Sequence, residues 1–281
     1  MVSDNKGIIS YTQYLREDLG IFRITPSNGV MPDYQTGQFL TLGLPIAAEN
    51  HKLVRRAYSL ASHPENKKYF EFVIRWVRKP LPGRVTTEIF YSSEGDEIFW
   101  GNPTGNALLI NDKLPNGQKD ERRIVCVGGG TGIAPFVSFA NHLHDTGDKR
   151  EIIVLHGASY VDELSYKELF TKLENESLDR GKDKWNFMYR AAISRPKEWF
   201  NRSWSGHKGR VESFIKTGAN GLSPIEEIIG EKFTKENTTL YICGYQGTID
   251  GSLEYVKAKD FVTMHNKRED GSFEVKFESY G

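Results

Sequence analysis

The chain has 281 residues, enough for one or two domains, and its 37 Lys and Arg balance 37 Asp and Glu. That neutrality argues against a general nucleic-acid or polyanion binder, and 38% hydrophobic with 12% aromatic residues argues against wholesale disorder. Only two cysteines occur, Cys126 and Cys243, and no Cys/His cluster, which excludes a thiolate-held iron–sulfur cluster or structural zinc.

Residues 8–12, 20–24, 38–42 and 69–75 are short β-prone runs separated by turn residues at fairly even intervals, the rhythm of a closed or nearly closed antiparallel barrel. The one helical candidate in this half is residues 84–91. Within it, Arg56-Ala57-Tyr58-Ser59 opens a strand-like run and offers a cation, a flat ring and a hydroxyl. Alone these are weak signals, since a strand Tyr is usually core and an Arg usually solvated. Gly83-Arg84-Val85-Thr86 at the helix start is either a phosphate cradle or an ordinary N-terminal cap.

Residues 111–121 are polar and carry Pro115, Asn116 and Gly117, which predicts a linker or long loop between residues 1–112 and 122–281. Beyond it the rhythm alternates. Strands are expected at 124–127, 152–155, 187–193 and 240–243, with helices at 133–144, 162–176 and 248–259 and a last strand at 272–279. Apolar strands alternating with helices imply a parallel sheet covered on both faces, a doubly wound α/β domain. The strongest local signal is Val127-Gly128-Gly129-Gly130-Thr131-Gly132-Ile133-Ala134-Pro135-Phe136, where a strand hands over to a helix. Glycines let backbone approach a phosphate chain, and the helix start adds free N–H groups. It is neither GxGxxG nor a Walker A loop. No apolar run approaches the ~18 residues of a membrane span, and residues 1–7 lack the apolar core of a signal peptide, so a cytoplasmic protein without a membrane span is expected.

In this order and spacing, Gly37-Gln38-Phe39, Arg56-Ala57-Tyr58-Ser59, Gly83-Arg84-Val85-Thr86, the turn at 128–132 and Tyr241-Ile242-Cys243-Gly244 resemble the ferredoxin–NADP(+) reductase family over nearly the whole chain. The resemblance implies an FAD-binding antiparallel β-barrel followed by an NADP(H)-binding doubly wound domain. It implies that Arg56 and Ala57 lie along the flavin, with Arg56 on its diphosphate, Tyr58 stacked on the isoalloxazine and Ser59 near N5. Val73 and Arg75 would run past the ribityl and phosphate, and Gly83, Val85 and Thr86 would hold the diphosphate, favouring FAD over FMN. Gly130, Thr131, Gly132 and Pro135 would hold the nucleotide diphosphate, and Cys243 with Gly244 would sit against the nicotinamide. Glu278-Ser279-Tyr280 resembles the Glu-x-Tyr ending of plant-type members, with Gly281 appended. Tyr280, or Phe277 in a shifted register, would cover the flavin and gate nicotinamide access, while Ser59, Cys243 and Glu278 tune hydride geometry and proton supply.

The 2′-phosphate of NADP calls for Ser194, Arg195 and Arg210, with Ser159 as a further donor. Ser159 stands where bacterial-type members often carry Arg, and Glu212 where some carry a Tyr. Residues 51–80 hold Lys52, Arg55, Arg56, Lys67, Lys68, Arg75, Arg78 and Lys79 against Glu65 and Glu71, a net +6 (8 minus 2). Such a rim would steer an acidic carrier in a salt-sensitive way. The implied activity is electron exchange between NADP(H) and a separate ferredoxin or flavodoxin through FAD. The alternatives are a stand-alone NAD(P)H reductase of an oxygenase or cytochrome system, and a non-catalytic flavin-binding regulatory subunit.

Overall fold

A computed structural model describes residues 5–78, 84–180 and 186–280. Seven elements build the first half: β1 (Asn5–Arg16), β2 (Leu19–Pro26), β3 (Phe39–Ile46), β4 (Lys52–Ser59), β5 (Phe70–Arg75), α1 (Arg84–Tyr91) and β6 (Glu97–Trp100). The strands form one antiparallel sheet in the order β4-β3-β6-β1-β2-β5. Period-two alternation sorts the side chains. Phe70, Phe72 and Ile74 of β5 point into the barrel core with Phe22, Leu40 and Trp100, whereas Val73 points out. Helix α1 buries Val85, Ile89 and Phe90 on one stripe beneath that core.

The barrel is not sealed between its end strands. Just past β4 the Ala61 N–H donates to the Glu71 carbonyl (2.8 Å), and the Glu71 N–H donates to Ser62 Oγ (3.1 Å). Beyond that stitch the strands part, so Arg56–Ser59 and Val73–Arg75 face each other across a gap. Arg56 thus stands in the middle of β4, not at the opening of a run, because pairing with β3 extends the strand back to Lys52.

The second half contains β7 (Arg123–Gly129), α2 (Ala134–Thr146), β8 (Ile152–Ala158), α3 (Lys167–Arg180), β9 (Phe187–Ile193), β10 (His207–Lys208), α4 (Pro224–Ile229), β11 (Thr238–Gly244), α5 (Gln246–Lys257) and β12 (Val275–Ser279). All six strands are parallel, in the order β10-β9-β8-β7-β11-β12. The expected two-domain architecture is therefore present. Chain progression reverses between β7 and β11, and a crevice opens at their C-terminal ends, where such sheets bind ligands. Strands β6 and β10 and helix α4 have no counterpart in the sequence expectation. Helix α3 starts at Lys167 rather than near Asp162: a 3-10 turn occupies Val161–Glu163, and Tyr166 adopts φ 61°, a left-handed conformation that a helix cannot include.

The halves share an apolar cluster in which Leu19, Ile21 and Val73 join Phe136, Val137 and Ala140 of α2, and Thr36 Oγ1 lies 2.7 Å from Ser138 Oγ in the same interface. The polar stretch at 111–121 is pinned at both ends. The Asn111 N–H donates to the buried Tyr241 hydroxyl (2.9 Å), buried Arg150 donates to the Asn111 carbonyl (2.7 Å) and the Asp120 carbonyl (3.3 Å), and just before the stretch Lys276 Nζ donates to the Leu109 carbonyl (2.5 Å).

Burial, with a smaller contribution from Lys267, lowers the Lys276 ammonium to about 8 from its usual range. Between that value and the unfolded value of about 10.4, the unfolded chain binds the extra proton, so this group makes stability rise with pH. Lys276→Met is expected to remove that rise: its melting temperature relative to wild type should fall from pH 7 to pH 10 in calorimetry. A difference that does not fall contradicts the assignment.

Candidate functional site

Two cavities meet in the crevice between the halves. The smaller, about 390 Å³, fills the gap between β4 and β5 and is closed by the start of α2 and the end of β12. Arg56, Ala57, Tyr58, Ser59, Val73, Arg75 and Thr86 line it from the barrel, and Thr131, Ala134, Glu278 and Tyr280 from the parallel sheet. Tyr58 and Thr86 are joined, hydroxyl to hydroxyl, at 2.7 Å. Burial lifts the Tyr58 hydroxyl to about 12, so it stays protonated. Arg56 is exposed and makes no ion pair among the described residues. Val85 points into the barrel core and can offer only backbone to this space. Gly83 lies outside the described residues.

The larger cavity, about 840 Å³, runs from the glycine turn across the ends of β8 and β9. Gly130, Thr131, Ser159, Ser194, Arg195 and Arg210 line it. Thr131, Arg75, Val77 and Tyr245 border both spaces, so the two adjoin. The glycine turn is built by contact on every side. A Cβ at Gly129 would lie 2.8 Å from Thr248 Oγ1, and one at Gly132 would overlap the Cys243 carbonyl, whereas Gly130 needs glycine for its φ of 58°. Beneath the turn, fully buried His156 contacts the Tyr189 hydroxyl (3.2 Å), and burial lowers its pKa to about 3, which keeps it neutral. Pro135 occupies the first turn of α2, where its missing N–H costs nothing.

Cys243 and Glu278 are register neighbours on β11 and β12. Cys243 is fully buried and borders neither cavity; burial first, then the Glu278 charge, pushes its thiol well up. Burial also raises the Glu278 carboxyl. Tyr280 projects into the glycine turn: its hydroxyl donates to the Gly129 carbonyl (3.2 Å) and lies 3.3 Å from Thr131 Oγ1, its N–H donates to the Gly244 carbonyl (3.2 Å), and Tyr245 meets its ring edge-on at 5.8 Å. Phe277 packs on the other face of β12 against His265 and the Val125–Ile242 core, so Tyr280 is the aromatic at the cavity.

Arg75 sits between the cavities, but Asp18 (2.9 Å) and Glu163 (3.0 Å) hold its guanidinium. Lys67 and Arg78 are likewise paired, with Asp33 (3.2 Å) and Glu17 (3.6 Å). The net charge expected of the 51–80 rim is therefore smaller in space than in sequence, because folding brings Asp18, Glu17, Asp33 and Glu163 to it. Thr248, Tyr245, Tyr160 and His156 had no place in the sequence expectation; only Tyr245, directly after Cys243-Gly244, carried a positional signal.

Residues 8–108 match the family described as oxidoreductase FAD-binding domain, and residues 126–252 the one described as oxidoreductase NAD-binding domain. The reductase component of propane 2-monooxygenase from Mycolicibacterium goodii is 26% identical over 244 residues, 86% of this chain; the chain spans only 60% of that relative's length. A ferredoxin–NADP reductase from Azotobacter vinelandii is 26% identical over 226 residues, 79% of this chain and 77% of that protein. In fold, the crystal structure of a ferredoxin NADP+ reductase from Neisseria gonorrhoeae with bound FAD and NADP gives a TM-score of 0.73 at 21% identity, over 98% of this chain and 97% of that one. No helix among the described residues is long and apolar enough to cross a membrane.

Proposed function

The chain belongs to the oxidoreductases that join an FAD-binding to an NAD-binding domain in the ferredoxin–NADP reductase arrangement, and from that footing we propose that it takes electrons from a reduced nicotinamide nucleotide and delivers them singly to a separate carrier protein such as ferredoxin or flavodoxin. The observation that carries this reading is that the two cavities adjoin, sharing Thr131, Arg75, Val77 and Tyr245 as walls. A ligand in one would touch a ligand in the other.

The smaller cavity suits a flavin. The facing edges of β4 and β5 have no strand partner across the gap, Arg56 is free to meet a diphosphate, and Tyr58, Ser59 and Thr86 present a ring and two hydroxyls. Bound there, the flavin supplies the exchange between two-electron and one-electron chemistry. Gly130 and Thr131 would bind the nucleotide diphosphate at the start of α2. Ser159, Ser194, Arg195 and Arg210 would receive the ribose end and favour NADPH. Tyr280 occupies the approach, so nicotinamide entry requires its hydroxyl to leave Gly129 and Thr131. That movement would uncover Cys243, with Glu278 beside it as a carboxyl whose pKa burial raises. A chain drawing on this nucleotide pool would work in the cytoplasm.

A second reading, the reductase of an oxygenase system, is favoured by the relative from M. goodii. The test is anaerobic mixing of the FAD-loaded protein with NADPH or NADH, followed by oxidation with ferredoxin, flavodoxin and cytochromes at two salt concentrations. Flavin bleaching and fast, salt-sensitive oxidation by ferredoxin are expected. A bound flavin that neither nucleotide bleaches rules out a reductase, and turnover only with an oxygenase component favours the second reading.

A further inference from the structure

At the ribose end of the larger cavity, the lining residues Tyr160 and Arg195 are both tied to one carboxylate that stands outside the lining, Glu198. Tyr160, just past β8, donates its hydroxyl proton to Glu198 Oε2 (2.6 Å), and Arg195 Nη1 donates to the same hydroxyl (2.9 Å). Arg195 and Glu198 also form an ion pair at 3.6 Å. The loops carrying these groups are stapled by Asn201, which is 1% exposed. Its Nδ2 donates to the Ser159 carbonyl (2.9 Å) and the Arg195 carbonyl (2.8 Å), and its Oδ1 accepts from the Val161 N–H (3.0 Å). Those three bonds nearly exhaust the amide's capacity, so they fix how far Ser159 and Arg195 stand apart. Arg16 lies over the Tyr160 ring at 4.6 Å and holds the cluster from the barrel side.

Charge around this point is matched. Arg16 has Asp162 at 3.1 Å, Arg210 has Glu212 at 3.9 Å, and Arg195 has Glu198. A 2′-phosphate arriving at Arg195 meets a guanidinium already engaged and a second anion within a few ångströms. A 2′-hydroxyl needs no free cation and can donate to the Tyr160 hydroxyl oxygen, whose own proton Glu198 holds.

We propose that Glu198 is the residue that limits the preference for NADPH, by holding Arg195 and Tyr160 in an arrangement suited to a ribose 2′-hydroxyl, so that the chain accepts NADH as well as NADPH. This rests on the reductase reading above for its substrate class. Glu198 is a specificity-determining group that acts through Arg195, and Asn201 is the positioning residue that sets their spacing.

The test compares wild type, Glu198→Gln and Arg195→Ala, singly and combined, as FAD-loaded protein. Glutamine keeps the size and can still accept the Tyr160 bond, so folding is expected to be preserved. The ratio of kcat/KM for NADPH over NADH should rise about tenfold in Glu198→Gln, through a lower KM for NADPH. The rise should vanish in the Arg195→Ala background. Calorimetric binding of 2′,5′-ADP against 5′-AMP gives the same comparison without flavin reduction and should tighten in parallel for 2′,5′-ADP alone. A rise of less than threefold by both measures, or a rise that persists without Arg195, overturns the proposal. Failure of either nucleotide to bleach the flavin while the 2′,5′-ADP effect is present overturns the reductase reading instead.

Discussion

Gly132→Ala is expected to lower the rate of flavin reduction by nicotinamide nucleotide at least a hundredfold while leaving flavin bound. The glycine stands where α2 meets the end of β11. An added Cβ would overlap the Cys243 carbonyl oxygen, with its carbon and the Tyr280 hydroxyl both 2.6 Å away. Two of those three atoms are backbone and cannot rotate aside, so β11 or the turn must shift. Overpacking of this kind costs about 1–3 kcal/mol. A displacement of ~1 Å near reacting groups costs on the order of a hundredfold in rate. The β4–β5 gap that would seat the flavin takes most of its lining from the barrel, so flavin content reports that the barrel is intact. Gly147→Ala, at the far end of α2 and outside both cavities, is the control. It has a φ of 68° and nothing within 4 Å of the new methyl, and it should cost only about 1–2 kcal/mol of backbone strain. Stopped-flow reduction of both variants distinguishes the cases, and wild-type rates in Gly132→Ala would show that the crevice does not depend on this contact.

Arg56→Ala should weaken FAD binding by roughly 10- to 150-fold, the range expected for losing one charge-assisted contact worth about 1.5–3 kcal/mol. Its side chain is exposed on β4 and meets no carboxylate among the described residues, so its loss leaves nothing in the apoprotein unpaired. The melting temperature of the apoprotein should therefore stay put while FAD affinity falls. Arg75→Ala is the instructive contrast. That guanidinium bridges Asp18 on the barrel side to Glu163 in the other half, and removing it strands two carboxylates whatever the flavin does. Fluorescence titration of apoprotein with FAD measures the effect, and unchanged affinity in Arg56→Ala would dismiss Arg56 as a flavin ligand.

The glycine turn and the Arg56–Ser59 run were legible in the sequence because what marks them is local: clustered glycines between an apolar strand and a helix, and a cation, ring and hydroxyl in one short run. The strand–helix alternation after residue 122 was legible for the same reason. Strand β6 was hidden because Glu97–Trp100 is four residues long and holds its place through β1 and β3, far away in sequence. The true charge of the barrel rim was hidden because a count over residues 51–80 cannot see Asp18, Glu17, Asp33 or Glu163 arriving from outside that window. Neither could spacing reveal that Tyr160 and Glu198 would close on Arg195, since that meeting depends on a buried Asn201 joining the ends of β8 and β9.

Leu19, Ile21 and Val73 lie on the outward face of the barrel, yet they belong to the same apolar cluster as Phe136 and Ala140. Neither half can open without baring that surface, so the halves should melt as one cooperative unit rather than in sequence. A ligand that binds only the folded chain then protects all of it by mass action. Flavin held between β4 and β5 would keep the nucleotide crevice from unfolding, and a scarcity of either ligand would be felt as thermal fragility across both halves.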